Sequence, residues 1–397
     1  MSCLAFFPWL EVKSRIQFGD LALTPFERNK SPFGAGSPDQ STCDGVLEPY
    51  HDGKHPVQKA TLLEHGGVFF GDVSQEAAGE YFVFRDIVAC SSLGKREFFG
   101  FGFPYWNSGH FEMVIQNFVD PHGSIAVTSR RRDGKTTHHM TREDYFFRRP
   151  FQVSANVGID FDRNLVTALL AAKDKSPVWH EYYDAISNFN QANTDSDQRT
   201  EAEEAVMLIG AFQRLLRCTA SGEDDLTARL TKVLNPFIHL EIENCEKIQN
   251  FTHYKVKAST VTEAWISDFF KLRGENAHGK RLPRGPLVWA SMEHLLLASF
   301  LFPHLLKLQL QEDGYYKLTD DDEADLMAFE PLLAAKCLEK TADGKGWIWS
   351  EVFRKVRSDY LLKKCMEPIL AEFFKQKLDG PDVVAENPKP EPTKGAD

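Results

Sequence analysis

Glu201-Ala-Glu-Glu-Ala-Val-Met-Leu-Ile-Gly-Ala-Phe-Gln-Arg-Leu-Leu-Arg-Cys218 decides the fold class of the second half of this chain. Ala205, Leu208, Ile209, Phe212, Leu215 and Leu216 recur at i, i+3 and i+4, which puts them on one stripe of an α-helix. Glu201, Glu203 and Glu204 stand at its start and Arg214 and Arg217 at its end, the arrangement that suits the helix dipole. Outward from there, the helical period begins at about Phe161. Residues 177–193, 259–273, 286–311, 319–340 and 349–378 read as further helices. Thr319 ahead of Asp320, Asp321 and Asp322 is an N-cap followed by an acidic first turn. Residues 381–397 carry four prolines and little apolar matter, the composition of a disordered tail.

Toward the N-terminus the pattern changes. Residues 81–89 (Tyr-Phe-Val-Phe-Arg-Asp-Ile-Val-Ala) and 97–103 are rich in strand-favouring side chains and read as strands. Residues 124–129 and 136–140 flank Asp133-Gly134, a dipeptide suited to a hairpin turn. Residues 25–60, with many Pro, Gly, Asp and Ser, read as a long surface loop. The expected fold class is therefore α+β: a β-rich domain over 1–155, an all-α bundle over 156–380, and the tail.

Composition narrows the function classes. With 397 residues, 42% hydrophobic and 26% charged, the chain can bury the cores of two ordinary domains. Its 31 Phe read as core filling. A net charge of −11 argues against broad, non-specific coating of nucleic acid but leaves room for a local basic site. The seven cysteines are scattered with no C-x-x-C spacing, so neither a disulfide framework nor a zinc ribbon is expected. A reducing cytoplasm fits that usage. The first ten residues lack a positive n-region and meet Glu11 at once, so no signal peptide is expected. Residues 287–306 are largely apolar, yet Glu293, His294, Pro303 and His304 interrupt them, which favours a buried bundle helix over a membrane span.

One segment carries chemistry: Lys271-Leu-Arg-Gly-Glu-Asn-Ala-His-Gly-Lys-Arg-Leu-Pro-Arg284. Lys271, Arg273, Lys280, Arg281 and Arg284 oppose the single anion Glu275, a local reversal of sign that suits a phosphate-bearing ligand. Within it stands Arg273-x4-His278. That spacing alone is a weak signal, and the structural alternative is an interhelical salt bridge from Arg273 to Glu275 or Glu263 with His278 capping a helix end. Residues five apart on a regular helix point about 140° apart. Arg273 and His278 therefore need either a break, for which Gly274 and Gly279 offer places, or a second protomer.

In context, residues 160–375 resemble the HEPN superfamily and within it the Apea-like group. The resemblance rests on Leu272-Arg273-x4-His278-Gly279 between helices, on the amphipathic helix before it and on the long apolar helix after it. A β-rich domain ahead of such a bundle is also an arrangement that group has. The family pattern puts a polar residue, most often Asn, directly after the Arg; here Gly274 stands there, with Asn276 two places later. The resemblance implies metal-independent RNA cleavage by a homodimer, with no cofactor. Attack of the 2′-OH on the adjacent phosphate needs a proton carrier and a fixed cation, the roles implied for His278 and Arg273. Asn276, Lys271, Lys280, Arg281 and Arg284 are the expected substrate-binding residues. It further implies a toxin or anti-phage defence effector, with the N-terminal domain answering to a trigger. The alternative is a non-catalytic HEPN module that binds RNA or nucleotide, or scaffolds a dimer.

Weaker patterns carry less. Arg130, Arg131, Arg132, Lys135 and Arg142 beside His138 and His139 make a basic hairpin, read first as a solvated face, with an RNA contact as the alternative. His51-x3-His55 has helical metal spacing, but Gly53 and Pro56 argue against a helix there.

Overall fold

The computed structural model describes residues 2–30, 32–34, 36, 38–99, 105–118, 124–132, 134–141, 146–155, 157–251, 258–277 and 286–378. The fold is α+β, a β-rich N-terminal region followed by a helical one. The first region runs β1 (Ser2–Phe7), β2 (Ile16–Phe18), β3 (Leu21–Glu27), α1 (Pro38–Leu47), β4 (Tyr50–Asp52) and β5 (His55–Pro56). It continues through β6 (Lys59–His65), β7 (Phe70–Gly71), α2 (Gln75–Leu93), β8 (Val114–Phe118), β9 (Ser124–Arg131), β10 (Gly134–Thr141) and β11 (Phe147–Arg148). Among the described residues the main sheet has the order β10-β9-β8-β1-β6-β3-β2, with β7 also on β1, and every pairing in it is antiparallel.

The period of two along β1 decides which core each side chain joins. Leu4 and Phe6 face one way, into a cluster with Phe26, Val46, Leu47 and Tyr50. Ala5 and Phe7 face the other, into the large core that α2 shares with the helices. The hairpin around position 133 forms as expected, with Gly134 opposite Arg131 and Thr141 opposite Ser124.

Several expectations fail. Residues 81–89 lie inside α2, a helix of 19 residues, not in a strand. Ser74 caps it, its Oγ accepting from the Ala77 N–H at 3.1 Å. Tyr81, Phe84 and Val88 recur at three- and four-residue steps and are buried with Ile87. Packing of that stripe outweighs the local strand preference of Tyr, Phe and Val. Of residues 97–103, positions 97–99 leave α2 in a turn, and the rest lie outside the described residues. Residues 25–60 are not one surface loop either: they hold α1, whose Cys43, Val46 and Leu47 are buried, and strands on either side.

The helical region runs α3 (Arg163–Lys175), α4 (Trp179–Ala192), α5 (Glu201–Leu215), α6 (Glu223–Leu234), α7 (Glu246–Gln249) and α8 (Val261–Ala277). Then come α9 (Ser291–Glu312), α10 (Asp320–Met327), α11 (Phe329–Ala334) and α12 (Ile348–Leu378). Helix α5 is central, packed on α4, α8 and α9. Its start is a reciprocal cap: Glu203 N–H donates to Thr200 Oγ1, and Thr200 N–H donates to Glu203 Oε2 at 2.8 Å. The single helix expected over 319–340 is two, because Pro331 removes an N–H and its ring would clash inside a continuous helix.

Helix α9 is buried on almost every side, and its ionisable groups are partnered across the bundle. Lys307 bridges Asp162 and Asp322, each at 2.6 Å. Among the described residues no helix is long and apolar enough to cross a membrane. One core runs from Phe7 and Phe84 through Phe189 and Phe212 to Leu301 and Trp349, so both regions pack into it. Among the described residues no two of the seven cysteines form a disulfide.

Candidate active site

Helix α8 carries the first half of the cationic segment. Ser259 and Thr260 N–H groups both donate to Glu263 Oε2, at 2.7 and 3.2 Å, which starts the helix. Val261, Ala264, Trp265, Asp268, Phe269 and Leu272 form its buried stripe, facing α5, α6 and α11. The helix continues without a break through Gly274 to Ala277, so Gly274 is not a point where the backbone turns. Arg273 and position 276 lie one turn apart on the same helix face.

Arg273 is half-buried on the outer side. Its Nη1 donates to the Ser221 carbonyl at 3.2 Å, and its guanidinium lies 5.3 Å from the Phe270 ring centroid. Of the two carboxylates offered as alternative partners for Arg273, Glu263 belongs to the helix cap, and the side chain of Glu275 lies outside the described residues. Among the described residues, that carbonyl and that ring are its partners, and a guanidinium has five N–H donors to offer. Lys271 lies on the other flank, its Nζ 3.4 Å from Asp268 Oδ1. His278, Lys280, Arg281 and Arg284 lie outside the described residues, as does the side chain of Asn276.

The residue that organises the site is one the sequence reading passed over. Asp268 is fully buried, and its Oδ2 accepts from the backbone N–H groups of Val288 at 2.8 Å and Trp289 at 3.1 Å. His294 Nε2 lies 3.2 Å from the same oxygen. Burial pushes the His294 ring well below the usual histidine range, and the hydrogen bond to Asp268 does not overcome that. The contact with Asp268 is assigned as Nε2–H donating to the carboxylate oxygen. Phe269 stacks on it at 5.2 Å, and the Trp289 indole donates to the Leu333 carbonyl at 2.9 Å.

The start of α9 is fastened as well. Glu293 accepts from the Ala290 N–H at 3.0 Å and from Lys247 Nζ at 2.7 Å. The chain is thus fastened at Val288 through Ala290 to the helix that carries Arg273 and to the start of α9. A lone Asp in an amphipathic helix and a His in an apolar run give no sign of meeting; only the spacing of Asp268 and His294 around the cationic segment hints at it.

Two other patterns find plain places. His51 and His55 sit in the antiparallel pair β4 and β5, not on a helix, with Asp52 held by Arg149 at 2.6 Å. Arg132 is exposed beyond β9. Comparison with family models, with curated proteins and with solved structures finds no match to this chain.

Proposed function

We propose that the chain is a metal-independent endoribonuclease of the HEPN type, acting as a homodimer, with Arg273 and His278 as its catalytic pair. The Asp268 clamp carries the reading: one buried carboxylate ties the chain beyond the cationic segment back onto the helix that presents Arg273. In the proposed reaction His278 takes the proton of a ribose 2′-OH as that oxygen attacks the adjacent phosphorus. The 2′-O–P bond forms, the P–O5′ bond breaks, and the 5′ oxygen leaves with a proton taken from solvent water, the hydroxide so formed being neutralised by the proton His278 then releases. Arg273 stabilises the charge that grows on the phosphoryl oxygens. Lys271, Asn276, Lys280, Arg281 and Arg284 hold neighbouring phosphates.

Two protomers are part of the proposal. Helix α8 stays regular past Gly274, so the divergence of positions 273 and 278 is not relieved by a bend at that glycine. The apolar stripes of α8 and α9 are buried within the chain, so the pairing surface lies elsewhere. By analogy with the Apea-like group, the role is a cytoplasmic defence or toxin effector regulated through its β-rich region.

The test is incubation of purified protein with total RNA, with and without EDTA, followed by mapping of the new ends. Cleavage that survives chelation, leaves 2′,3′-cyclic phosphates and spares DNA is expected. Activity lost to EDTA and restored by Mg²⁺, or cleavage of DNA, contradicts the mechanism.

A further inference from the structure

A cleft of about 770 Å³ opens on the far part of α9, among the turn after α2, the tight turn before α12, and α12 itself. His304, on its floor, is 13 residues beyond Ser291, roughly 20 Å along the helix from the end that faces the cationic segment. The cleft is therefore separate from the proposed nuclease site. Its volume is in the range that small-molecule sites occupy.

Its walls have two chemistries. One is aromatic: Trp347 lies against Phe99 at 4.7 Å, and Trp349 continues the face to Phe300 at 5.5 Å. Lys340 Nζ stands 3.9 Å from the Trp347 ring centroid. The other is cationic. Lys307 and Arg357 line the cleft but are held by carboxylates, Lys307 by Asp162 and Asp322, Arg357 by Asp321 and Asp325. Lys95, Lys340, Lys345 and Arg354 also line it, and none has a carboxylate partner among the described residues. The carboxylates Glu97 and Asp160 line it as well, so four cations without a carboxylate partner face two, and in a chain of net charge −11 that positive balance marks a place for an anion.

Two further features point to a bound group. His304 is buried, and its Nδ1 has no hydrogen-bond partner among the described residues. Its Nε2 is 3.9 Å from Asp325 Oδ2, beyond hydrogen-bond range. A buried polar atom without a partner costs free energy that a ligand can return. Phe99 has φ of +58°, a left-handed conformation that a bulky side chain adopts only under constraint. Ser350 Oγ donates to its carbonyl at 3.2 Å, which ties this strained residue to the start of α12. Strain of this kind concentrates at ligand-binding positions.

Lys345 is presented by design of its turn. Thr341 N–H donates to the Gly346 carbonyl at 3.0 Å, Asp343 accepts from Lys345 N–H at 3.1 Å, and Gly344 takes a φ of +69° that closes the turn. Lys345 is exposed on this turn, and Arg354 stands about one and a half turns into α12.

We propose that this cleft binds a free nucleoside phosphate, its base against the Trp347 and Phe99 face and its phosphates on Lys95, Lys345 and Arg354. A flat ring and a polyanion together match the two wall chemistries; an acidic peptide supplies only the second. Binding here stands independently of RNA cleavage at Arg273 and His278.

The test is equilibrium binding to the full-length protein, read by calorimetry and tryptophan fluorescence. The probes are ATP, GTP, AMP, adenosine and inorganic tripolyphosphate, with a short single-stranded RNA as competitor. At least one nucleotide is expected to bind one to one and change the fluorescence, with adenosine and tripolyphosphate each about ten-fold weaker or worse. The pair Lys345→Glu and Arg354→Glu, at exposed positions, is expected to lower affinity about ten-fold or more, and Trp347→Leu to remove the fluorescence change. Arg273→Ala is expected to leave binding unchanged. No binding by any nucleotide overturns the proposal. So does tripolyphosphate binding as tightly as a nucleotide, affinity untouched by the charge reversals, or the RNA outcompeting every nucleotide.

Discussion

Asp268 bears a heavier structural role than any other single side chain near the proposed nuclease site. Alanine there leaves the Val288 and Trp289 N–H groups and the His294 Nε2–H buried without an acceptor. Asp268→Ala is expected to cost about 3 kcal/mol in urea unfolding, with Asp268→Asn costing less because one acceptor oxygen remains. His304 supplies a second prediction, on pH. Burial first, then the Lys307 charge, pushes its ring down to about 3 from an ordinary 6.5. The unfolded chain therefore takes up this proton below about pH 6.5 while the folded chain refuses it until near 3. Stability from this group is complete above 6.5 and lost as the pH falls toward 3. Asp325 opposite it is raised by burial to about 6 and works in the other direction, so the comparison must be with a variant. Between pH 7 and 5, the wild type is expected to lose about 2 kcal/mol relative to His304→Gln, measured by chemical denaturation at each pH. Neither Asp268 nor His304 stands out in the sequence as a candidate for function. Arg273 and Lys271 do, because a run of cations in an acidic chain is a one-dimensional signal, whereas a buried carboxylate meeting a histidine 26 residues on is not.

At the scale of elements, caps and periodic stripes were legible and mixed signals were not. Helix α5 announces itself by its stripe and its acidic start, and the Thr319 cap forms with Asp322 as its reciprocal partner. The hairpin β9–β10 follows from the turn between two β-branched runs. Helix α2 was misread because its aromatic and β-branched content imitates a strand over nine residues, while its stripe emerges only over the full 19. Helix α1 was hidden by the Pro, Gly and Ser around it. Lys307 gives the prediction that belongs here, since it joins three elements by their ends. Asp162 caps α3 through the Leu165 N–H, Asp322 caps α10 through Thr319, and Lys307 on α9 neutralises both. Lys307→Met leaves two carboxylates buried and unpaired. Its unfolding free energy, from urea titration at pH 7, is expected to fall by about 3–5 kcal/mol, and a loss below about 1 kcal/mol contradicts this linkage.

Over the whole molecule, the β-rich region and the bundle pack into one core, since α2 lies on α3, α4 and α9. The cleft beside α12 borders on both, through the turn after α2 and through α9. Against a net charge of −11, the cationic segment from Lys271 to Arg284 is the place where a polyanion meets local attraction. The central claim is that Arg273 and His278 cut RNA together across two protomers. Its most direct test is the cleavage rate of one defined RNA by wild type, by Arg273→Ala, by His278→Ala, and by an equal mixture of the two variants. Each variant alone is expected to lose on the order of 10²–10³ in rate while remaining folded. The mixture is expected to regain roughly a quarter of the wild-type rate, because random pairing rebuilds one intact composite site in half of the dimers. Full activity in His278→Ala contradicts the account.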